Sequence, residues 1–350
     1  MKSHIFNDRE WTLAVTALAL WTGLDAYLYH TTLTAGWDWY TANHEAVAPI
    51  FNWVGGAVAA WVALSQLSIA RKRHDAQVKR DVEQTNADKQ RRIQESFAKA
   101  VEQLGSDKLQ VRLGGIYTLE RIYMQETRDD YWVIMETLTA FIREQTRSAP
   151  ARTDILTFTP SIPPLPDTPP TDIAAALNVI KRRPKEAQAQ EAREQLTLDL
   201  SNSHLCGADF SRATLNGANL RGANLSRAVF DYANFQQSDF SFADLSDASL
   251  VAADLTLANF TSAELEAASF MGAKLNGAFF IHSNLGQATL AEASCLTTHF
   301  SRANLTGTSF GNADLSTADG LRVEQLADTI GHKAAKLPNG IPPPPHWPKN

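Results

Sequence analysis

Only two cysteines occur in the 350 residues, too few for a disulfide framework. The chain has no Cys-x-x-Cys pair, no glycine-rich phosphate loop and no nucleophile elbow. No His, Cys, Asp or Glu residues recur at metal-ligand spacing, so no catalytic residue, metal or cofactor is assigned and an enzyme is not expected. A formal net charge of −6 is too mild to point to nucleic acid. Lys and Arg are missing altogether from two apolar stretches near the start, residues 11–29 and 47–70, and from the connection 36–46. Each stretch is long enough to cross a ~30 Å hydrocarbon layer, although Asp25, Asn52 and Gln66 weaken them. Immediately afterwards come Arg71, Lys72, Arg73, Lys79 and Arg80. That asymmetry predicts a two-helix membrane hairpin with both chain ends cytoplasmic and Trp37, Trp39 and Tyr40 at the outer interface. The competing expectation is a soluble pair of buried helices.

What the chain has in abundance is a five-residue beat. From Leu200 to Leu315, 24 consecutive registers carry Leu or Phe, with Cys295 the one exception. Two places earlier in each unit, from Ser203 to Ala313, only Ala, Ser or Thr occurs. A period of five fits neither the 3.6 of a helix nor the 2 of a strand. Such short self-similarity means a solenoid, with the large residue and its small companion inside and the other three positions in water.

The stretch Ala218-Asn219-Leu220-Arg221-Gly222, then Ala223-Asn224-Leu225-Ser226-Arg227, resembles the pentapeptide-repeat family, whose consensus is Ala-(Asp/Asn)-Leu-X-X. The resemblance covers residues 198–319 and implies a right-handed quadrilateral β-helix with four units per coil, hence six coils. Stacked at ~4.8 Å, six coils make a rod roughly 29 Å long. Columns then repeat every 20 positions, one of them Leu205, Leu225, Leu245, Leu265, Leu285 and Leu305. In this arrangement Cys206 points outward and Cys295 inward, ~20 Å apart, beyond the ~7 Å limit for a disulfide. Both thiols are expected to be free.

Around the repeats, the sequence divides into a hairpin (1–70), a charged helix with a small helical bundle (71–148), a Pro-rich linker with a short helix (149–197), the repeats (198–319) and a terminal cap (320–350). Ile93, Phe97, Ala100, Val101 and Leu104 give the charged helix an apolar face before Gly105 breaks it. A second helix carries Leu109, Leu113, Ile116, Leu119 and Tyr123, and a third carries Tyr131, Ile134, Met135, Leu138, Phe141 and Ile142. The short helix has Thr171 or Asp172 as its expected cap. After it comes a polar stretch. The tail, with Pro342–Pro345 before His346 and Trp347, is expected to cover the open end of the last coil.

Asp25, His30 and His44 lie in or beside the first span and the outer loop, and His204, His282 and His299 at outward repeat positions; all are read as plain residues. One surface feature stands out. Val251, Met271 and Ala291 stack in one outward column, with Val229 and Tyr232 a coil earlier, a candidate partner patch. The expected function is a non-enzymatic scaffold, anchored in the bacterial inner membrane, that presents the rod in the cytoplasm to a protein partner the sequence does not name; self-association is compatible with this. Pentapeptide-repeat proteins that mimic B-form DNA and inhibit type II topoisomerases supply an alternative. Residues 198–320 hold 12 acidic and 5 basic side chains, a net of −7, but the anchor argues against that reading. A membrane effector whose hairpin oligomerises on a cytoplasmic signal is a further alternative.

Overall fold

The computed structural model describes residues 16, 20, 35–125, 131–147, 168–331 and 334–347. They divide into two units, Met1–Lys89 and Gln90–Asn350.

The turn expected at residues 36–46 is helix instead. Helix α1 starts at Ala35 and runs to Leu104 without interruption. The reason is local: residues 36–46 hold no proline, and their one glycine falls at the fraying helix end, where its freedom costs least. A hairpin is therefore not seen. Of the first expected span only Thr16 and Leu20 are described, both helical, while Asp25 and His30 lie outside the described residues. Beyond Asn52 the apolar side chains of α1 in the first unit are uncovered, with Trp53 76 %, Leu64 66 % and Leu67 67 % exposed. Among the described residues this is one helix long and apolar enough to cross a membrane.

In the second unit, the last turns of α1 bury Ile93, Ala100 and Leu104 in a core shared with α2 (Leu109–Gln125) and α3 (Tyr131–Thr146). Ile116, Leu119, Ile134, Met135, Leu138 and Ile142 are fully enclosed there, at the 3–4-residue spacing the sequence displays. Helix α4 (Thr171–Lys181) packs on both α2 and α3. Its cap differs from expectation. Pro170 holds the cap position without a side-chain hydrogen bond, and neither Thr171 nor Asp172 caps. Asp172 is buried and accepts from Arg112 Nε at 2.6 Å, while Arg112 Nη1 also donates to the carbonyls of Ser106 and Asp107. An ion pair thus clips the loop after α1 to the start of α4.

The polar stretch after α4 contains a further helix, α5 (Lys185–Glu194), which the sequence reading did not anticipate. Hydrophobic periodicity could not find it, because its one buried residue is Glu191. Arg183 grips Glu191 with two bonds of 3.0 Å and donates to the carbonyls of Ile180 (2.7 Å) and Thr214 (2.9 Å). Tyr131 donates its phenol to the same carboxylate. Burial, with Glu191 beside it, pushes the Tyr131 phenol far above its ordinary value. Helix α3, the α4–α5 turn with α5, and the first repeat coil, three stretches distant in sequence, meet at this buried cluster. Removing one partner from such a cluster strands a charge and costs about 3–5 kcal/mol.

From Leu198 the chain coils with a period of 20. Parallel bridges join Asp199 to Asn219, His204 to Asn224, Asp209 to Val229 and Thr214 to Asn234, and the same four columns continue upward coil by coil. Each side is a single isolated bridge followed by a two-residue turn, with no longer strand among the described residues. The backbone explains the pentad. In the unit 243–247, Asp244 N bonds back to Ala223 O, Leu245 N forward to Glu264 O and Asp247 N forward to Glu266 O. Ala248 N closes the turn on Leu245 O. The residue two after each central Leu or Phe has positive φ in every unit from Asn202 (54°) to Asn312 (58°), although most of these residues are not glycine. Each such residue carries a strain of about 1–2 kcal/mol. The forward hydrogen bond and the buried central side chain offset it, the latter contributing about 1.5–3 kcal/mol.

Inside, the central residues from Leu200 to Leu315 and their small companions are buried, and Phe240, Phe260 and Phe280 stack face to face at 4.9 Å. Cys295 is enclosed, and burial pushes its thiol up. Cys206, expected to face outward, is buried as well: Ser226 Oγ and Arg227 Nη2 of the next coil lie 3.3 Å from its sulfur. Both thiols are free. His204 also departs from a plain surface role, because its Nε2 is buried without a hydrogen-bond partner and burial lowers its pKa. His299 stacks on Phe279 at 4.9 Å and reaches Asp319 at 3.3 Å. At the far end, Ile330 and Lys336 bridge to Ser309 and Asp314, Leu326 is buried, and Trp347 donates its indole N–H to Thr329 O at 3.1 Å. The last coil's outward groups are covered by this tail.

Candidate partner-binding surface

In each unit the amide just after the central residue finds no backbone acceptor; in many units the residue before the centre supplies one. Asp239 Oδ1 accepts from Ser241 N, Asn224 Oδ1 from Ser226 N, and Asp254 Oδ1 from Thr256 N. This is the physical reason for Asp or Asn at that position: a short side-chain oxygen can reach an amide two residues on. The same side chains also bridge coils, as where Asn259 Nδ2 donates to Asp239 Oδ1 at 3.0 Å.

The sides of the solenoid use this device unequally. The first, second and fourth sides carry it repeatedly, at Asn219, Asp239 and Asn259, at Asn224, Asp244 and Asn284, and at Asn234, Asp254 and Asp314. On the third side only Asp209 and, at a longer 3.4 Å, Thr289 do so; Val229, Ser249, Ser269 and Ser309 do not. The corner beyond this side replaces charge with apolar surface. Tyr232 N bonds to Val251 O (2.9 Å), Ala252 N to Met271 O (2.8 Å) and Gly272 N to Ala291 O (2.8 Å), so Val251, Met271 and Ala291 stand directly above one another. Tyr232 is 64 % and Met271 46 % exposed, while Val229, Val251 and Ala291 are half-buried. Asp231, at the foot of the column, is occupied by Ser249 Oγ and Val251 N.

Other exposed apolar residues of the solenoid lack such continuity. Phe242 sits on another corner beneath the Arg221 guanidinium, 4.3 Å from its ring centre, and Leu257 on a third, with polar residues or glycine one coil away. The second side gathers Asp244, Asp247, Glu264 and Glu266 on two successive coils. Among the described residues no three His, Cys, Asp or Glu side chains come together as a metal site. A groove of about 550 Å³ lined by Ala140, Arg143, Glu144, Arg147, Ser201 and Asn202 is open and polar, and Arg143 is already paired with Asp199.

A sequence model described as pentapeptide repeats matches in 8 copies, over residues 198–231, 208–247, 238–277, 268–296 and 283–319. The chain is a pentapeptide-repeat protein. Its repeats are similar to those of solved structures. QnrB1, a plasmid-mediated fluoroquinolone resistance protein, is 20 % identical over 43 % of this chain and 82 % of its own, with a TM-score of 0.33. Rfr23 from the cyanobacterium Cyanothece 51142 is 18 % identical over 44 % of this chain and 99 % of its own, with a TM-score of 0.29. HetL, involved in heterocyst differentiation regulation in Nostoc sp. strain PCC 7120, is 27 % identical over 40 % and 70 %, with a TM-score of 0.20. No curated protein sequence matches the chain.

Proposed function

We propose that this pentapeptide-repeat protein is a membrane-tethered, non-enzymatic scaffold that offers one corner of its solenoid to a protein partner. The observation that carries the reading is the Val251–Met271–Ala291 column, an apolar strip continuous over successive coils of a rigid wall. The wall, read as a right-handed quadrilateral β-helix, has its interior filled by the buried central Leu and Phe side chains and their small companions. The tether rests on the uncovered apolar turns of α1 after Asn52, followed by Arg71, Lys72 and Arg73. Both chain ends then lie in the cytoplasm of a bacterial cell, and residues 11–29 form the other span.

Alkaline carbonate extraction and protease digestion of spheroplasts test the tether: the protein stays with the membrane and its repeats resist protease from outside. Release into the soluble fraction refutes it. For the surface, Met271→Glu is expected to abolish capture of the partner while leaving hydrogen-exchange protection of the repeats unchanged. Capture that survives the substitution moves the binding surface elsewhere.

A second reading draws on the acidic second side. Asp244, Asp247, Glu264 and Glu266 spread negative charge along the rod, as a mimic of duplex DNA does. Such binding fades as salt screens the field, whereas burial of the apolar column does not. Inhibition of gyrase supercoiling by the full chain, lost on neutralising these four residues, favours the mimic.

A further inference from the structure

The third-side corner has a shape as well as a polarity. Along its column the side chains are largest at Met271 and fall on one side to Ala291 and Gly311, while on the other side stand Val251 and the protruding Tyr232. The bonds from Glu292 N to Gly311 O (2.7 Å) and from Gly272 N to Ala291 O continue one stack, so the size gradient lies on a straight strip. A would-be Cβ on Gly311 meets only the Ala291 Cβ, at 3.7 Å, which leaves a shallow hollow there. Bulk at one end and a hollow at the other, on the same strip, is a self-complementary surface.

We infer that the partner of this strip is a second copy of the chain, docked antiparallel about a twofold axis at Met271. The inference rests on the partner-surface reading above and names the partner. A twofold there sets Met271 against its own copy, Val251 against Ala291 and the Asp231–Tyr232 end over Gly311. Away from the axis large thus meets small, while at the axis the two flexible Met271 side chains pack on each other. Coil spacing matches automatically, because both rods repeat at ~4.8 Å, so every level is in register once one is. Electrostatics favour this corner over the acidic second side. The one acid in the column, Asp231, already accepts two hydrogen bonds and faces a glycine. Pairing two second sides, by contrast, juxtaposes Asp244, Asp247, Glu264 and Glu266 with their like. Five coils give a strip ~24 Å long, short of a standard interface, so the pairing is weak and strengthens where chains are concentrated.

Cross-linking of the full chain distinguishes the arrangements. In a background of Cys206→Ser and Cys295→Ala, one population carries Val251→Cys and another Ala291→Cys, and a short bis-maleimide joins them. The mixture is expected to yield covalent dimer at least tenfold above either population alone, and Met271→Glu is expected to remove that excess. Ala291→Phe, which fills the hollow, serves as a second block. Hydrogen exchange of the repeats shows that each variant is folded. Equal cross-linking by Val251→Cys alone overturns the antiparallel geometry. Cross-linking no greater than that of Asp247→Cys on the second side overturns self-pairing. If self-pairing fails while Met271→Glu still abolishes capture of another protein, the surface reading stands and only this inference falls. If Met271→Glu changes neither, both fall.

Discussion

Phe260 is the most informative side chain to remove. It is fully enclosed, stacked on Phe240 (4.9 Å, 8° between planes) and on Phe280 (4.9 Å, 3°), with the edge of Phe270 against it at 5.7 Å. Deleting a buried Phe to Ala costs about 3–5 kcal/mol in transfer and cavity terms. Three aromatic contacts, each about 0.5–1.5 kcal/mol beyond their area, place Phe260→Ala at the top of that range. The walls cannot collapse into the hole, because each side is pinned to the coils before and after it by Phe240 N to Asn259 O and Phe260 N to Phe279 O. Phe260→Leu keeps most of the volume and restores the residue found in this column at Leu200 and Leu220, so about 2 kcal/mol is expected. At about 1.4 kcal/mol per tenfold, Phe260→Ala should lower amide protection by three orders of magnitude or more, and Phe260→Leu by one to two. Hydrogen-exchange mass spectrometry of the full chain reads this peptide by peptide. In a solenoid the loss should centre on residues 240–280 and decay toward both ends, since each coil leans only on its neighbours. A loss under tenfold for Phe260→Ala, or a larger loss for Leu than for Ala, refutes the stacked-ring interior.

Two further outcomes follow from individual contacts. Gly277 has φ of +69°, and a Cβ there would lie 2.7 Å from Leu257 Cδ2. Gly277→Ala is therefore expected to cost about 1–2 kcal/mol, and Leu257→Gly to relieve part of it, a coupling that a double-mutant cycle detects and strict additivity would deny. The Asp314 carboxyl is drawn down to about 2, chiefly by the hydrogen bond from Lys336 in the tail, from an ordinary 3.8. A depressed carboxylate stabilises the folded state above its unfolded value and loses that contribution as pH falls through the folded one. Exchange of residues 327–347, corrected for intrinsic rates, should thus rise between about pH 4 and pH 2, and Lys336→Ala should flatten that rise; identical profiles in both proteins refute the clip.

How far the fold could be read in advance depended on how local its cause was. The inward Leu or Phe and its small companion repeat every five residues, so the interior was legible down to Ala248 and Leu245. Helices α2 and α3 showed in their apolar spacing for the same reason. Helix α5 did not, because Glu191 is held by Tyr131 and by Arg183, which is itself tied to Thr214 O, partners that no apolar periodicity brings together. Cys206 escaped for a related reason: the outward position is a statement about one coil, and the groups that cover its sulfur belong to the next. The turn at residues 36–46 was placed by charge and length, which govern membrane spans, whereas helix continuation depends on backbone breakers that this stretch lacks.

The candidate surface was legible through a different signal, departure from the repeat. A perfect Asp or Asn ladder spends each short polar side chain on the amide two residues ahead, leaving little of it for a partner. Where the ladder is kept, as at Asp239 and Asn259, the wall is stitched and chemically monotonous. On the third side the ladder is broken after Asp209: Thr289 and Asp231 still accept from the amides of Ala291 and Val251, but Val229, Ser269 and Ser309 leave those of Asp231, Met271 and Gly311 without a protein acceptor among the described residues. Keeping those amides solvated is tolerable only while the corner faces water or a partner that supplies acceptors. Loss of the stitch beside an uninterrupted apolar column is a stability sacrifice with no return inside the rod. A return outside it is what a binding surface requires, and it is why the Val251–Met271–Ala291 corner, rather than the better-stitched sides, is the place to substitute first.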